Sequence, residues 1–188
     1  MDGTVGQRLE DDHHRIDEGF AQFARSLSGP APDRVAFDEA ARALRHHIHV
    51  EEVLHFPVLR AAGLLGPVLV MLREHGEIWD LLDATEGALL ADDVPRARAS
   101  WGQLADVLAQ HNLKEERILY PAGDERIAPA DAELILATLA SGEMPADWRC
   151  EMATEGQAGR TPLAGSGQAG GGEVHPTQRL GVDGHHDR

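Results

Sequence analysis

Two eleven-residue stretches of this chain follow one template, and that template constrains the fold more than any other feature. HIHVEEVLHFP (47–57) and HNLKEERILYP (111–121) each begin with His, carry Glu at the fifth and sixth positions, an aromatic at the tenth and Pro at the eleventh. A second pair precedes them. DHHRID (12–17) and EHGEIW (74–79) each place an acid, then His, then Ile three residues later. The copies are offset by 62 to 64 residues. A unit repeated once at this spacing is a supersecondary element that buries its apolar face against its own copy.

The unit is a helical hairpin. Leu9, His13, Ile16, Phe20, Phe23 and Leu27 recur at three- and four-residue steps, one face of a helix. Gly29-Pro30-Ala31-Pro32 ends it, and Asp33 caps a second helix with Phe37, Ala40, Leu44, His47, Glu51 and Leu54 in line. Pro57 is expected to end that helix. A third helix carries Val68, Leu72, His75, Trp79 and Leu82 and runs to about Leu90. A fourth starts at Asp92-Asp93-Val94-Pro95 and carries Leu104, Leu108, His111, Glu115 and Ile118, ending at Pro121. A short fifth helix fits about 130–141. No strand pattern appears. The expected fold is all-α, an up-down-up-down four-helix bundle over residues 1–142.

Each hairpin offers one His from its first helix and a His-x-x-x-Glu from its second. Residues i and i+4 share a helix face, so His47 converges with Glu51 and His111 with Glu115. With His13 and His75, six metal-ligating side chains are expected to point into one bundle interior. A lone His on an apolar face is ordinarily a buried residue with a hydrogen-bond partner. Four at core phase, two of them paired with core-phase Glu, call for more, because an uncompensated buried carboxylate costs several kcal/mol and metal coordination offsets it. Adjacent helical residues lie about 100° apart, which turns His14, His46, Glu52 and Glu116 away from the interior, and His49 elsewhere too. His55, four residues after Glu51, is the one spare candidate near the site. His175, His185 and His186 have no specific role in this reading.

Composition narrows the function. The net charge is −15 and Lys114 is the only lysine, so no basic patch exists to neutralise phosphates or an anionic membrane. No partner of either kind is expected. Cys150 is the single cysteine, which excludes an intramolecular disulfide and any Cys-based zinc or iron–sulfur site. The start, MDGTVGQRLEDDHH, has neither a basic nor an apolar signal region, and no apolar run approaches the roughly 18 residues of a membrane span, so a reducing cytoplasm is the expected setting. Ten of the twenty glycines fall between Gly142 and Gly184, and residues 143–188 are expected to form a flexible tail, above all from about 150 on. Within it MPADWRC (144–150) carries Trp148, which can fold back onto the domain.

Mixed imidazole and carboxylate donors point to a borderline first-row metal, and two carboxylates among four imidazoles favour two ions over one. Two octahedral ions need about twelve donor positions, of which these side chains fill about eight. The rest is open to water, oxo or hydroxo, or a small exogenous ligand. In this order and with these Glu-Glu and aromatic-Pro endings, the residues resemble the hemerythrin-like (HHE cation-binding) domain family over roughly residues 8–125. The resemblance implies a non-haem, oxo- or hydroxo-bridged di-iron centre, with His13, His47, Glu51, His75, His111 and Glu115 as ligands and Glu51 and Glu115 bridging. The oxygen carriers of that family have a second His four residues after the first in helix 3. Here that position is Trp79, which leaves one iron more open. The expected function is binding of O2, or of NO or peroxide, in sensing, storage or stress defence. The alternatives are a di-iron enzyme turning over peroxide or nitric oxide, and an iron-responsive interaction protein.

Overall fold

A computed structural model of the chain describes residues 3–29 and 31–154. Among them are five helices and no strand. Helix α1 (Val5–Ser26) starts at a capping box: Thr4 Oγ1 accepts from Gln7 N at 3.2 Å while Gln7 Oε1 accepts from Thr4 N at 3.0 Å. Helix α2 (34–61) is capped by Asp33, whose carboxylate accepts from Ala36 N at 3.0 Å. Helix α3 is Leu65–Leu90. Helix α4 (94–124) is capped by Asp93, which accepts from Arg96 N at 3.1 Å. Helix α5 is Pro129–Ser141. Helices α1 and α2 pair, as do α3 and α4, while α2 packs on α3 and the end of α4 on α1. The four long helices thus close a ring, and the expected all-α bundle is the observed one.

Two apolar clusters fill the interior. One holds Ile16, Phe20, Phe23, Phe37, Ile78, Leu82, Leu104 and Leu108. The other holds Leu9, Val50, Phe56, Leu59, Leu72, Leu119 and Tyr120. Along α1, α3 and α4 the histidines of the repeat lie between members of one cluster and members of the other. A polar layer is therefore sealed between two dry ones.

Helices α2 and α4 pass the prolines that were expected to end them. Each contains one π-helical turn, Glu51–His55 in α2 and Glu115–Leu119 in α4. There the N–H of Phe56 donates to Glu51 O, and that of Tyr120 to Glu115 O, five residues back. This wider turn resets the ladder, so Pro57 and Pro121 fall in the first turn of a fresh helical stretch, where a missing N–H costs nothing. One extra residue per turn also shifts the phase downstream. Ile118, placed on the core stripe by regular spacing, is 58% exposed, and Leu119 is buried in its stead.

The chain goes on packing against the bundle after α5. Residues 143–154, which composition assigns to the tail, include the buried Cys150 and a Trp148 seated on Trp79 at 5.4 Å. The flexible tail expected beyond them, with His175, His185 and His186, lies outside the described residues. Among the described residues, no helix is long and apolar enough to cross a membrane.

Candidate metal centre

All six residues selected by the repeat are buried in the polar layer. Glu51, His75, His111 and Glu115 bring one ligand atom each within 4.8 Å of one another, and so do His13, His47 and Glu115. Glu51 Oε2 stands 3.5 Å from His47 Nε2 and 3.3 Å from His75 Nε2. Glu115 Oε2 stands 3.4 Å from His13 Nε2 and 3.2 Å from His111 Nε2. Each carboxylate thus lies between one imidazole of each hairpin. The π turns begin at these two glutamates, and such turns are a common device at functional sites.

The outer nitrogens of the histidines are all engaged. His47 Nδ1–H donates to Asp12 at 2.9 Å, and His75 Nδ1–H to Glu52 at 3.0 Å. His111 Nδ1–H donates to Glu74 at 3.1 Å, and His13 Nδ1–H to Glu116 at 3.0 Å. These bonds form a cycle. An acid on α1 holds the His of α2, one on α2 holds that of α3, one on α3 holds that of α4, and one on α4 holds that of α1. With Nδ1–H held outward, every Nε2 faces the interior, the orientation a metal-ligating imidazole needs.

Helical phase turns Glu52 and Glu116 away from the centre, and neither joins a ligand grouping. Their side chains instead reach across to the neighbouring helix and orient its His. The repeat carried the signal: both copies keep a second Glu after the first, and both keep an acid before the first His.

Burial pulls the imidazoles down in pKa, yet Glu115 and Glu51 lift His13 to about 9 and His111 to about 10. Burial pushes Glu115 up, and His111 with His13 brings it well below the usual carboxylate range. The metal-free centre is therefore charged, with imidazolium protons standing where cations would. Even so, Glu51 Oε2 and Glu115 Oε1 are buried with no hydrogen-bond partner. Carboxylate oxygens in that condition fit a cation.

Residues 4–123 match the model of the hemerythrin HHE cation-binding domain. The chain belongs to this family. Members of this family are named for a cation-binding domain, the matched span holds both hairpins of the repeat, and the His/Glu groups of the polar layer are those that could hold a metal ion. The chain is also similar to an uncharacterized protein of Mycobacterium tuberculosis and to one of Mycobacterium bovis, each 30% identical over 125 residues, or 65% of this chain and 73% of the relative. No solved structure matches significantly.

This hemerythrin-family centre has two unlike halves. On the His75/His111 side, Phe56 stacks on His75 at 5.3 Å, and the facing Nε2 atoms are 3.1 Å apart. On the other side the repeat equivalent of Phe56 is Tyr120, and it enters the polar layer. Its O–H donates to Glu51 Oε1 at 2.9 Å and lies 3.1 Å from His13 Nε2 and 3.4 Å from His47 Nε2. Reading the tenth position only as an aromatic missed this hydroxyl. His55 is fully buried beside Tyr120, ring centres 5.7 Å apart, with both ring nitrogens unpartnered. It joins neither ligand grouping. His14 is exposed, while His46 and His49 are buried away from the centre, His49 against Trp148. Trp79 packs into the core among Trp148, Arg45 and Arg149.

Proposed function

We propose that the centre holds two iron ions and binds dioxygen, or a related small molecule such as nitric oxide or peroxide, in a cytoplasmic sensing, storage or defence role. His13 and His47 would serve one ion, His75 and His111 the other, with Glu51 and Glu115 shared between them. The observation that carries this reading is the convergence of four Nε2 atoms on two buried carboxylates while every Nδ1 is engaged outside. A bound iron pair supplies redox and Lewis-acid chemistry toward a small ligand.

The chain's own residues do the rest. The outer carboxylates orient the imidazoles and raise their basicity. The two apolar clusters keep bulk water from the layer. Burial, with Glu115 and Glu51 adding to it, holds the Tyr120 phenol well above its ordinary pKa in the metal-free protein. That hydroxyl therefore keeps its proton and presents it to Glu51.

Metal analysis of iron-loaded protein, with optical spectra under air, argon and nitric oxide, tests the reading. About two irons per chain and a visible spectrum that changes with the gas are expected. A colourless protein holding one zinc would refute it.

A further inference from the structure

Of the four outer carboxylates, Asp12 is paired with Arg15 and Glu74 with Lys114, both cations. Glu52 is held differently. Cys150 Sγ–H donates to its Oε1 at 3.0 Å, the same oxygen that accepts from His75, and Glu151 N–H donates to its Oε2 at 2.9 Å. Both donors are neutral, and both come from the segment after α5. Glu52 is thus fixed at both oxygens beside His75, and its side chain is only 4% exposed, against 24% for Glu116.

The segment is anchored along its length. Trp148 meets Trp79 and His49 edge-on, Arg149 reaches Asp83 at 3.1 Å, and Thr154 N and Oγ1 bond to Asp80 at 3.0 and 2.8 Å. It crosses α3 at Gly76, directly after His75. A Cβ there would stand 2.5 Å from the Met152 carbonyl oxygen. In the first copy of the repeat the equivalent residue is His14, which is exposed. The repeat therefore departs from itself where the strap passes. The span matching the family ends at residue 123, so the strap lies outside it.

We propose that residues 144–154 are a positioning strap for His75, acting through Glu52, so that the His75 half of the centre depends on a segment outside the bundle. As a statement about metal retention this rests on the function proposed above; as a statement about His75 it does not. The full chain, wild type and with Gly76→Ala, Cys150→Ala or Cys150→Ser, provides the test. Two quantities are measured: exchange of the His75 Nδ1 proton in metal-free, 15N-histidine-labelled protein, and release of ferrous iron to a chelator. Gly76→Ala and Cys150→Ala should expose the Nδ1 proton to exchange and speed loss of one of two iron equivalents by about 10- to 100-fold, the scale for lost outer partners of a ligand. Cys150→Ser, which keeps a donor, should recover most of both. Circular dichroism confirms that the helices remain. If alkylation of Cys150 in Gly76→Ala shows the strap has lifted while His75 exchange and iron release stay at wild-type rates, the proposal is overturned. Should the wild type hold no iron, the metal reading fails and the exchange measurement alone decides: faster exchange in Gly76→Ala sustains the strap's role and unchanged exchange refutes it.

Discussion

Replacing Asp12 by Asn preserves shape and removes only charge, yet it should weaken the His47 half of the centre severely. Asp12 is 6% exposed and serves two donors: His47 Nδ1–H on Oδ2 at 2.9 Å and Arg15 on Oδ1, with the Arg15 Nε contact at 3.1 Å. Burial pushes its carboxyl up, but the His47 bond and charge, with those of Arg15, bring it down to about 2. Asn has one acceptor and one donor group where both neighbours donate. If its oxygen turns to Arg15, its NH2 faces Nδ1 and drives the proton of neutral His47 to Nε2, the wrong tautomer for a ligand. If its oxygen turns to His47, the amide faces a guanidinium that offers only donors. Either way His47 Nδ1–H loses its charged acceptor, and a bond to a charged group is worth about 1.5–3 kcal/mol. At about 1.4 kcal/mol per decade that is roughly 10- to 100-fold in affinity. Competitive titration with ferrous iron should show one of two equivalents weakened by that factor. The neighbouring Asp11, with 66% of its side chain exposed, is the control. Wild-type affinity for both equivalents in Asp12→Asn, or an equal loss in Asp11→Asn, would refute the orienting role.

The remaining expectations concern stability and register. His13 and His111 have folded pKa values of about 9 and 10 against an ordinary 6.5, so their contribution is complete below about pH 6.5 and lost as pH rises through 9 to 10. Thermal melts of metal-free protein should show a lower midpoint at pH 10 than at pH 7; a flat or rising profile contradicts the charged metal-free centre. Leu119→Ala should cost about 2–5 kcal/mol in urea unfolding while Ile118→Ala stays within about 0.5 kcal/mol. The reverse ranking would mean a regular helix there. A Cβ at Gly123 would lie 2.9 Å from His55 Nε2 and 3.1 Å from Leu59. Gly123→Ala should therefore destabilise by about 1–3 kcal/mol, and an unchanged midpoint would show that His55 has room to move. Burial, with the Glu52 bond adding to it, pushes the Cys150 thiol up to about 12, so alkylation at pH 8 should be far slower than in unfolded chain.

The inner centre was legible because its signal was written twice. His47 with Glu51, and His111 with Glu115, share helical phase, and comparing the copies discarded His46 and His49 from the centre. What stayed hidden lay between helices or outside the regular period. Glu52 and Glu116 point off the core stripe of their own helices, and only the next helix gives them a partner. The turns at Glu51 and Glu115 hide in ordinary helical sequence, and Ile118 was misplaced for that reason. Pro57 and Pro121 at matching positions were the visible trace. The strap was obscured by the glycine-rich text after it, although a tryptophan and a cysteine close together in a polar segment were already a sign of burial.

In the cycle of outer carboxylates each of the four long helices both holds and is held, and none is first or last. A single hairpin satisfies one pair, Asp12 with His47 or Glu74 with His111, and leaves a second acid and a second imidazole facing outward without partners. What completes them is the other hairpin, which presents the same groups in the same order. The hairpin is thus self-complementary. At these four bonds the two halves of this chain meet as the subunits of a symmetric dimer would, each supplying the acid and the imidazole that the other lacks.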